Sequence, residues 1–325
     1  MEHHSTQDAQ VSVEDSIPVF ARFRFLLEAQ EPITLPAYAG SAWRGLLGHG
    51  LRRVACVTRQ PTCDGCMLRF NCLYSMFFET PAPPDSAQRR YQSLPHPFVL
   101  EPEIRSEREI KPGTSLYLGI TLMGKTAEQV PYLIHALDLA GQRGIGSRGG
   151  RFSVVAVERE DTPGNADWRR IYAADAGEYR QQQMQPIRLP PPSSAIRVRL
   201  FTPLRVKRRG SFVGAAELEP SDLLRNLCMR VALLAELYGG NPQPFDWRAI
   251  GKDAASIALV DKRLRWHEWT RFSSRQNTRM QMGGLLGEFG LEGSALPLFW
   301  PALWVGQWVH VGKGTSFGLG GYRLL

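Results

Sequence analysis

No stretch of this 325-residue chain approaches the roughly 18 uninterrupted apolar residues that a membrane-spanning helix needs. The N-terminus also lacks the basic-then-apolar order of a secretory signal, its charges being Glu2, Asp8, Glu14 and Asp15. No membrane partner is therefore expected, and the expected address is cytoplasmic. Cysteine is scarce: four of the five fall between Cys56 and Cys72, and Cys228 stands alone in a helical pattern. That distribution speaks against a secreted disulfide framework and for a metal site in a reducing compartment. The glycine-rich stretch at the end of the chain fits neither G-x-x-x-x-G-K-[ST] nor a strand-borne G-x-G-x-x-G, which speaks against an NTPase built on it.

What is present describes a folded protein, 43% hydrophobic and 22% charged. Lys and Arg number 39 against 31 Asp and Glu, a net +8 carried mostly by arginine, whose planar fork suits phosphate. Charge alone does not establish a polyanionic partner, so the arrangement of the arginines has to carry that argument.

Glycine is concentrated at the end. Residues 312–321 hold five glycines with Lys313, Thr315 and Ser316 among them, between an apolar Trp-rich segment, Pro301 to Val309, and a terminal strand, Gly320 to Leu325. Such a loop can take positive φ and admit a close backbone or a phosphate chain. A second glycine and arginine segment, Gly144 to Arg151, lies between a helical pattern, Ala127 to Gly141, and a strand, Phe152 to Val157.

Periodicity supplies the rest. Val19 to Leu26 alternates as a strand. Ser41 can cap a helix containing Trp43, Leu46, Leu47, Leu51 and Val54, with Arg44, His49, Arg52 and Arg53 on its other face. Cys56, Cys63, Cys66 and Cys72 can supply four thiolates to a structural Zn²⁺ in an insertion over 56–72, with an iron–sulfur cluster as the alternative. No His or carboxylate beside them suggests an open catalytic position. Strands follow at Phe98 to Pro102 and Ser115 to Met123, so the first half has the order of a ferredoxin-like split β-α-β unit. Residues 161–194 are proline- and glutamine-rich and read as a linker. The order then restarts: strand Ile196 to Val206, helix Ser221 to Tyr238, middle strands Trp266 to Ser273 and Arg279 to Phe289, a helix from Pro301, the glycine loop and the last strand. The expected fold is α+β: two tandem ferredoxin-like (βαββαβ, RRM-like) domains over 17–160 and 195–325, behind a disordered tail over 1–16.

Several segments together resemble a known family. They are the Trp43-Arg44-Gly45-Leu46-Leu47-Gly48-His49 helix running into the cysteines, the Gly144-to-Phe152 loop, Phe201-Thr202-Pro203-Leu204-Arg205, Phe272 to Asn277, Gly283 to Gly287, and His310 through Gly320. The chain is similar to the Cas6 endoribonucleases of CRISPR systems, within the repeat-associated group of RNA-binding proteins, and to a cysteine-bearing branch of them. The resemblance implies a protein that binds CRISPR repeat RNA and cuts the precursor crRNA without catalytic metal, the ribose 2′-OH attacking its own phosphodiester to leave a 2′,3′-cyclic phosphate and a 5′-OH. A non-catalytic crRNA-binding subunit of an effector complex is the alternative. Further partners would be other Cas effector subunits or a second copy of the chain.

For that chemistry an imidazole moves protons and a guanidinium or ammonium holds the extra charge. His49 matches the family's usual position on the first helix, with Tyr38, Arg52 and Arg53 as partners; His310, beside the loop, is the second candidate and the better placed to hold RNA. The expected RNA contacts are Arg148 and Arg151, Arg205, Lys207, Arg208 and Arg209, Arg275, and His310, Gly312, Lys313, Gly314, Thr315 and Ser316. Trp266 and Trp269 read as core aromatics sooner than as base-stacking ones.

Overall fold

The computed structural model describes residues 17–325 except 85–87, 89–90, 92, 104–108, 182–186, 240–246 and 274–277. The segment read as a tail and Arg275 lie outside the described residues.

The first half runs β1 (Phe20–Ala29), β2 (Ile33–Thr34), α1 (Gly40–Ala55), α2 (Leu73–Phe78), β3 (Phe98–Pro102), β4 (Glu109–Ile110), β5 (Ser115–Met123), α3 (Val130–Gly141), β6 (Phe152–Glu160), β7 (Trp168–Ala173) and β8 (Glu178–Tyr179). Its antiparallel sheet has the order β3-β5-β1-β6-β7-β8, whose first four strands are a ferredoxin-like sheet. Alternation in β1 buries Phe23, Phe25 and Leu27 under α1 and α3, which supply Trp43, Leu47, Leu51, Leu133 and Leu137. Arg22 and Arg24 then fall on the sheet's other face.

The second half runs β9 (Ala195–Leu204), β10 (Lys207–Arg208), β11 (Ser211–Phe212), α4 (Pro220–Tyr238), α5 (Trp247–Ala255), β12 (Ala258–His267), β13 (Thr270–Ser273), β14 (Thr278–Gln281), β15 (Gly284–Glu292), α6 (Trp300–Val309) and β16 (Tyr322–Leu324). The order β12-β15-β9-β16 repeats the first half's pattern. The tandem architecture is therefore as expected.

Three boundaries differ from the sequence reading. The segment read as a linker contains β7 and β8, which extend the first sheet from β6; Trp168, Ile171 and Tyr172 carry a strand pattern that the surrounding polar composition hides. The second domain's first middle strand is β12, and 270–281 is a separate hairpin, β13 with β14. Asp261, Lys262, Arg263 and Arg265 are exposed on this edge strand and mask its alternation. Ser41 does not cap α1, which begins at Gly40 with Ala39 as its N-cap and no side-chain hydrogen bond there.

The halves share packing. The second domain's core takes in Ile17, Phe20, Val99 and Met123 from the first. A Cβ on Gly124 would fall 1.6 Å from the carbonyl oxygen of Tyr238, so only glycine permits that approach of the two domains. Among the described residues no helix is long and apolar enough to cross a membrane.

Candidate nucleic-acid interface

Helix α1 buries Trp43, Leu47 and Leu51, which turns His49 and Arg53 outward; both are exposed. Arg52 faces another way. It donates to the carbonyls of Gln60 and Pro61, the latter at 2.9 Å, and lies 5.4 Å over the ring of Tyr74. Expected to stabilise reaction charge, it ties the cysteine segment to the helix in this structure through those two carbonyls. Tyr38 is corrected likewise: its hydroxyl donates to the carbonyl of Phe317 at 2.8 Å, and burial drives its pKa far above that of a free phenol. In this structure the phenol clamps the terminal loop.

That loop is wedged between the domains. Thr202 Oγ1 donates to Gly318 O (2.7 Å), Lys313 N to Arg205 O (2.8 Å) and Gly320 N to Pro203 O (3.0 Å). Gly320 has φ +71°, and a Cβ there would lie 1.8 Å from Val311 O; one on Gly40 would lie 1.9 Å from Phe317 O. Gly312 and Gly314 are partly exposed, Thr315 and Ser316 are buried, and only Lys313 of the expected loop contacts is exposed. The glycines thus serve close backbone packing more than a phosphate cradle.

Beside the loop, Arg44 donates through Nε to Ser316 Oγ (3.1 Å) and sits between the rings of Phe78 and Phe317, at 5.0 and 4.9 Å. Its other arm lies 3.2 Å from His96 Nε2. A guanidinium only donates, so Nε2 is the acceptor and the His96 proton sits on Nδ1, facing Thr80 Oγ1. Burial, then Arg44 and Arg230, push the His96 pKa down to about 3. Sequence reasoning passed over His96 as a loop residue between prolines, because its partners are 16 and 52 positions away. Arg230, wholly buried, donates to the carbonyls of Val309 (2.8 Å) and His310 (3.1 Å) and closes the C-terminus of α6.

Of the other expected contacts, Arg205 is buried over the ring of Phe212 at 4.4 Å, with Nη2 3.4 Å from Gln281 O; it packs the β10–β11 hairpin onto the domain and is not presented to a phosphate. Arg208 is paired with Asp222 and Glu219 at the start of α4, and the Asp222 hydrogen bond raises its pKa. Lys207 and Arg209 remain exposed at the hairpin tip. Arg148 and Arg151 are exposed but paired, with Glu109 at 3.3 Å and Glu31 at 2.7 Å.

Cys56, Cys63, Cys66 and Cys72 line one cavity of about 10 Å³, and Thr58 Oγ1 lies 3.5 Å from Cys66 Sγ. The four sulfurs are a donor set that suits Zn²⁺. Among the described residues no group of three or more His, Cys, Asp or Glu already stands at metal-holding geometry. Burial and then Glu79 raise the Cys63 thiol's pKa, so a carboxylate does lie near this cluster, contrary to the sequence reading.

Between the two domains lies a groove of about 550 Å³ that sequence reasoning did not anticipate. Arg22, Arg24, Glu101, Tyr117 and Trp168 line it from the first sheet, and Phe201, His267, Trp269, His310 and Arg323 from the second domain. Arg24 stacks over Trp168 at 4.6 Å, and Tyr38 meets Trp269 at 4.8 Å. Trp269, read as a core aromatic, is thus a groove residue. His310 is fully buried with φ +58°, and its Nδ1 lies 3.2 Å from Leu319 O. Burial lowers its pKa to about 4, with Glu101 opposing. In this structure the His310 imidazole is sealed from solvent. The period-two arginines of β1 were the one legible sign of this face.

Comparison with known proteins fits this geometry. Residues 17–185 match a family model described as an N-terminal domain, and residues 198–322 match that of the CRISPR-associated endoribonuclease Cas6. An uncharacterized protein of Archaeoglobus fulgidus is 22% identical over 297 residues, covering 89% of this chain and 92% of that protein. Among solved structures, Thermus thermophilus Cas6 is 14% identical with a TM-score of 0.53, covering 95% of this chain and 99% of that chain. A Cas6 product complex is 16% identical with a TM-score of 0.55, covering 94% and 100%. At such identities the structures speak to the fold alone. The second domain thus matches the model of the CRISPR-associated endoribonuclease Cas6, and the solved Cas6 structures share the fold of both domains.

Proposed function

We propose that this protein binds CRISPR repeat RNA and cuts the precursor crRNA within each repeat by attack of a ribose 2′-OH, without a catalytic metal. The observation that carries this reading is that His49, which faces solvent, lies on a helix whose first turn is gripped by the terminal loop. One nitrogen of His49 takes the 2′-OH proton or delivers one to the leaving 5′-oxygen. Arg53, exposed on the same helix, is the guanidinium free to meet charge building on the phosphorus, since Arg52 is occupied. Lys313, Lys207 and Arg209 are the exposed cations that would hold the backbone on either side.

The test is incubation with candidate repeat RNAs in EDTA, with and without a 2′-deoxy sugar at the cut. Cleavage that survives EDTA, stops at the deoxy sugar and falls by about 10²-fold or more in His49→Ala is expected. Binding without cutting would make the protein a crRNA-binding subunit instead.

The four cysteines are proposed to hold one structural Zn²⁺, which would cross-link residues 56–72 to the end of α1. Elemental analysis should find about one zinc per chain, lost in Cys63→Ser. Iron with visible charge-transfer absorption would assign a cluster instead.

A further inference from the structure

Helix α1 carries glycine at four of its sixteen residues, although glycine is the poorest helix former after proline. Three of the four have a packing reason. A Cβ on Gly40 would lie 1.9 Å from Phe317 O, one on Gly50 2.2 Å from Ala136 O, and one on Gly48 3.0 Å from the ring of Phe78. Gly45 is different. It is exposed in the interior of the helix, and among the described residues a Cβ there would meet nothing within 4 Å. An exposed glycine at such a place lowers stability relative to alanine, and no contact within the fold offsets that loss.

The register of the helix supplies a reason from outside the fold. Gly45, His49 and Arg53 follow one another at intervals of four residues and are all exposed, so they form one row on the solvent face, with a spacing of about 6 Å along the axis. The row reads bare backbone, imidazole, guanidinium. Arg44, the neighbour long enough to cover Gly45, is turned away to Ser316 and the rings of Phe78 and Phe317. The phosphates of an extended ribonucleotide strand recur at a comparable interval. A strand whose scissile phosphate lies at His49 therefore lays an adjacent nucleotide over Gly45, where the lack of a side chain admits it to the helix backbone.

We infer that Gly45 is a substrate-contact position: the nucleotide beside the scissile phosphate lies directly on the α1 backbone there, and this close approach sets the phosphate against the His49 imidazole. The inference rests on the proposed RNA cleavage and goes beyond it, because it gives a positioning role to a residue with neither charge nor polar side chain. The contact is steric. It predicts that the strand is lifted off the helix in proportion to the size of whatever replaces the glycine hydrogen.

The test uses Gly45→Ala and Gly45→Leu in the full chain, since both substitutions improve helix propensity, with the candidate repeat RNA that wild type binds most tightly. Both variants should melt about 1–2 °C above wild type. Against that gain, single-turnover cleavage should fall about tenfold in Gly45→Ala and about 10²-fold in Gly45→Leu, as the reacting atoms are displaced further. Affinity for the 2′-deoxy form of the same RNA should weaken in the same order, while the slope of log affinity against log salt keeps its wild-type value because no charge has been removed. A melting temperature below wild type in Gly45→Ala would make the glycine a packing residue and overturn the contact. Equal losses in the two variants would trace to lost helix flexibility, which both remove, and would overturn it as well. Wild-type cleavage and affinity in both variants overturn the contact while leaving the functional reading in place. Should wild type bind repeat RNA without cutting it, the affinity series alone decides. A wild type that neither binds nor cuts overturns the functional reading and the contact with it.

Discussion

The chain contains two glycine loops with nearly the same vocabulary, and they are put to opposite uses. The loop at Gly144 to Arg151 is a surface turn: Ile145 and Gly150 bridge its neck, a Cβ on Gly149 would meet nothing within 4 Å, and its arginines reach sideways to Glu109 and Glu31. The terminal loop is interior. It takes hydrogen bonds from Tyr38 and Thr202, backs onto the carbonyls of Val311 and Leu100, and anchors Arg44 through Ser316. Glycine composition reports that the backbone must bend or come close; what it comes close to is decided by residues hundreds of positions away. Both loops use positive φ and close approach, but Gly146 and Gly150 of the first back onto Thr34 and Pro32 of their own domain, whereas the second meets carbonyls of both domains.

Alanine substitution separates the two demands. Gly320→Ala puts a methyl against Val311 O on a left-handed backbone and should cost about 3 kcal/mol or more, since both backbone and neighbour must shift. Gly149→Ala meets only the left-handed backbone and should cost about 1 kcal/mol. Urea denaturation of both variants measures the gap, and equal costs would mean that the terminal loop is not clamped as described.

A pH titration sharpens the same contrast. His310 ends α6 at the mouth of the terminal loop, and burial lowers its pKa from 6.5 to about 4 against the opposing charge of Glu101, with Arg323 and Arg230 assisting. The unfolded chain takes up this proton near pH 6.5 and the folded chain only near pH 4. The stabilisation is therefore complete above about pH 6.5 and is lost as pH falls toward 4, amounting to ~3 kcal/mol for this residue. His310→Phe should flatten the stability profile across that window, while a substitution in the first loop should leave its shape unchanged. A profile of wild-type steepness in His310→Phe would mean that other groups carry it.

Much of the architecture was legible because its signals are local. The strands at Phe98 and Ser115 and the helices around Trp43 and Leu133 show their period within a few turns, and the repeated element order announces the tandem domains. The second domain's edge strand was not legible, since charges on both its faces erase alternation. Site chemistry divides the same way. His49 is exposed because Trp43, Leu47 and Leu51 face inward, which the helical period foretells. The fates of Tyr38, Arg52, Arg205 and Arg208 depend on Phe317, Pro61, Phe212 and Asp222, and a count of basic residues cannot tell a paired guanidinium from a free one. The interdomain groove was hidden for the same reason, its walls coming from both ends of the chain.

The smallest effect probes how the two loops meet RNA. Lys313 stands in solvent on the terminal loop, whereas Arg151 on the first loop is held by Glu31, whose carboxyl pKa is lowered chiefly by that hydrogen bond. A cation that neutralises a phosphate releases a counterion, so its removal lowers the slope of log affinity against log salt by about one. A cation already paired must first leave its carboxylate, and the glutamate then remains near the RNA to repel it. Lys313→Ala should therefore reduce the slope by about one, and Arg151→Ala by clearly less, in filter-binding assays with one repeat RNA between about 50 and 200 mM salt. Should Arg151→Ala change the slope as much as Lys313→Ala does, the first loop would be an RNA contact that gives up its glutamate on binding, and the two loops would be alike in function though not in burial.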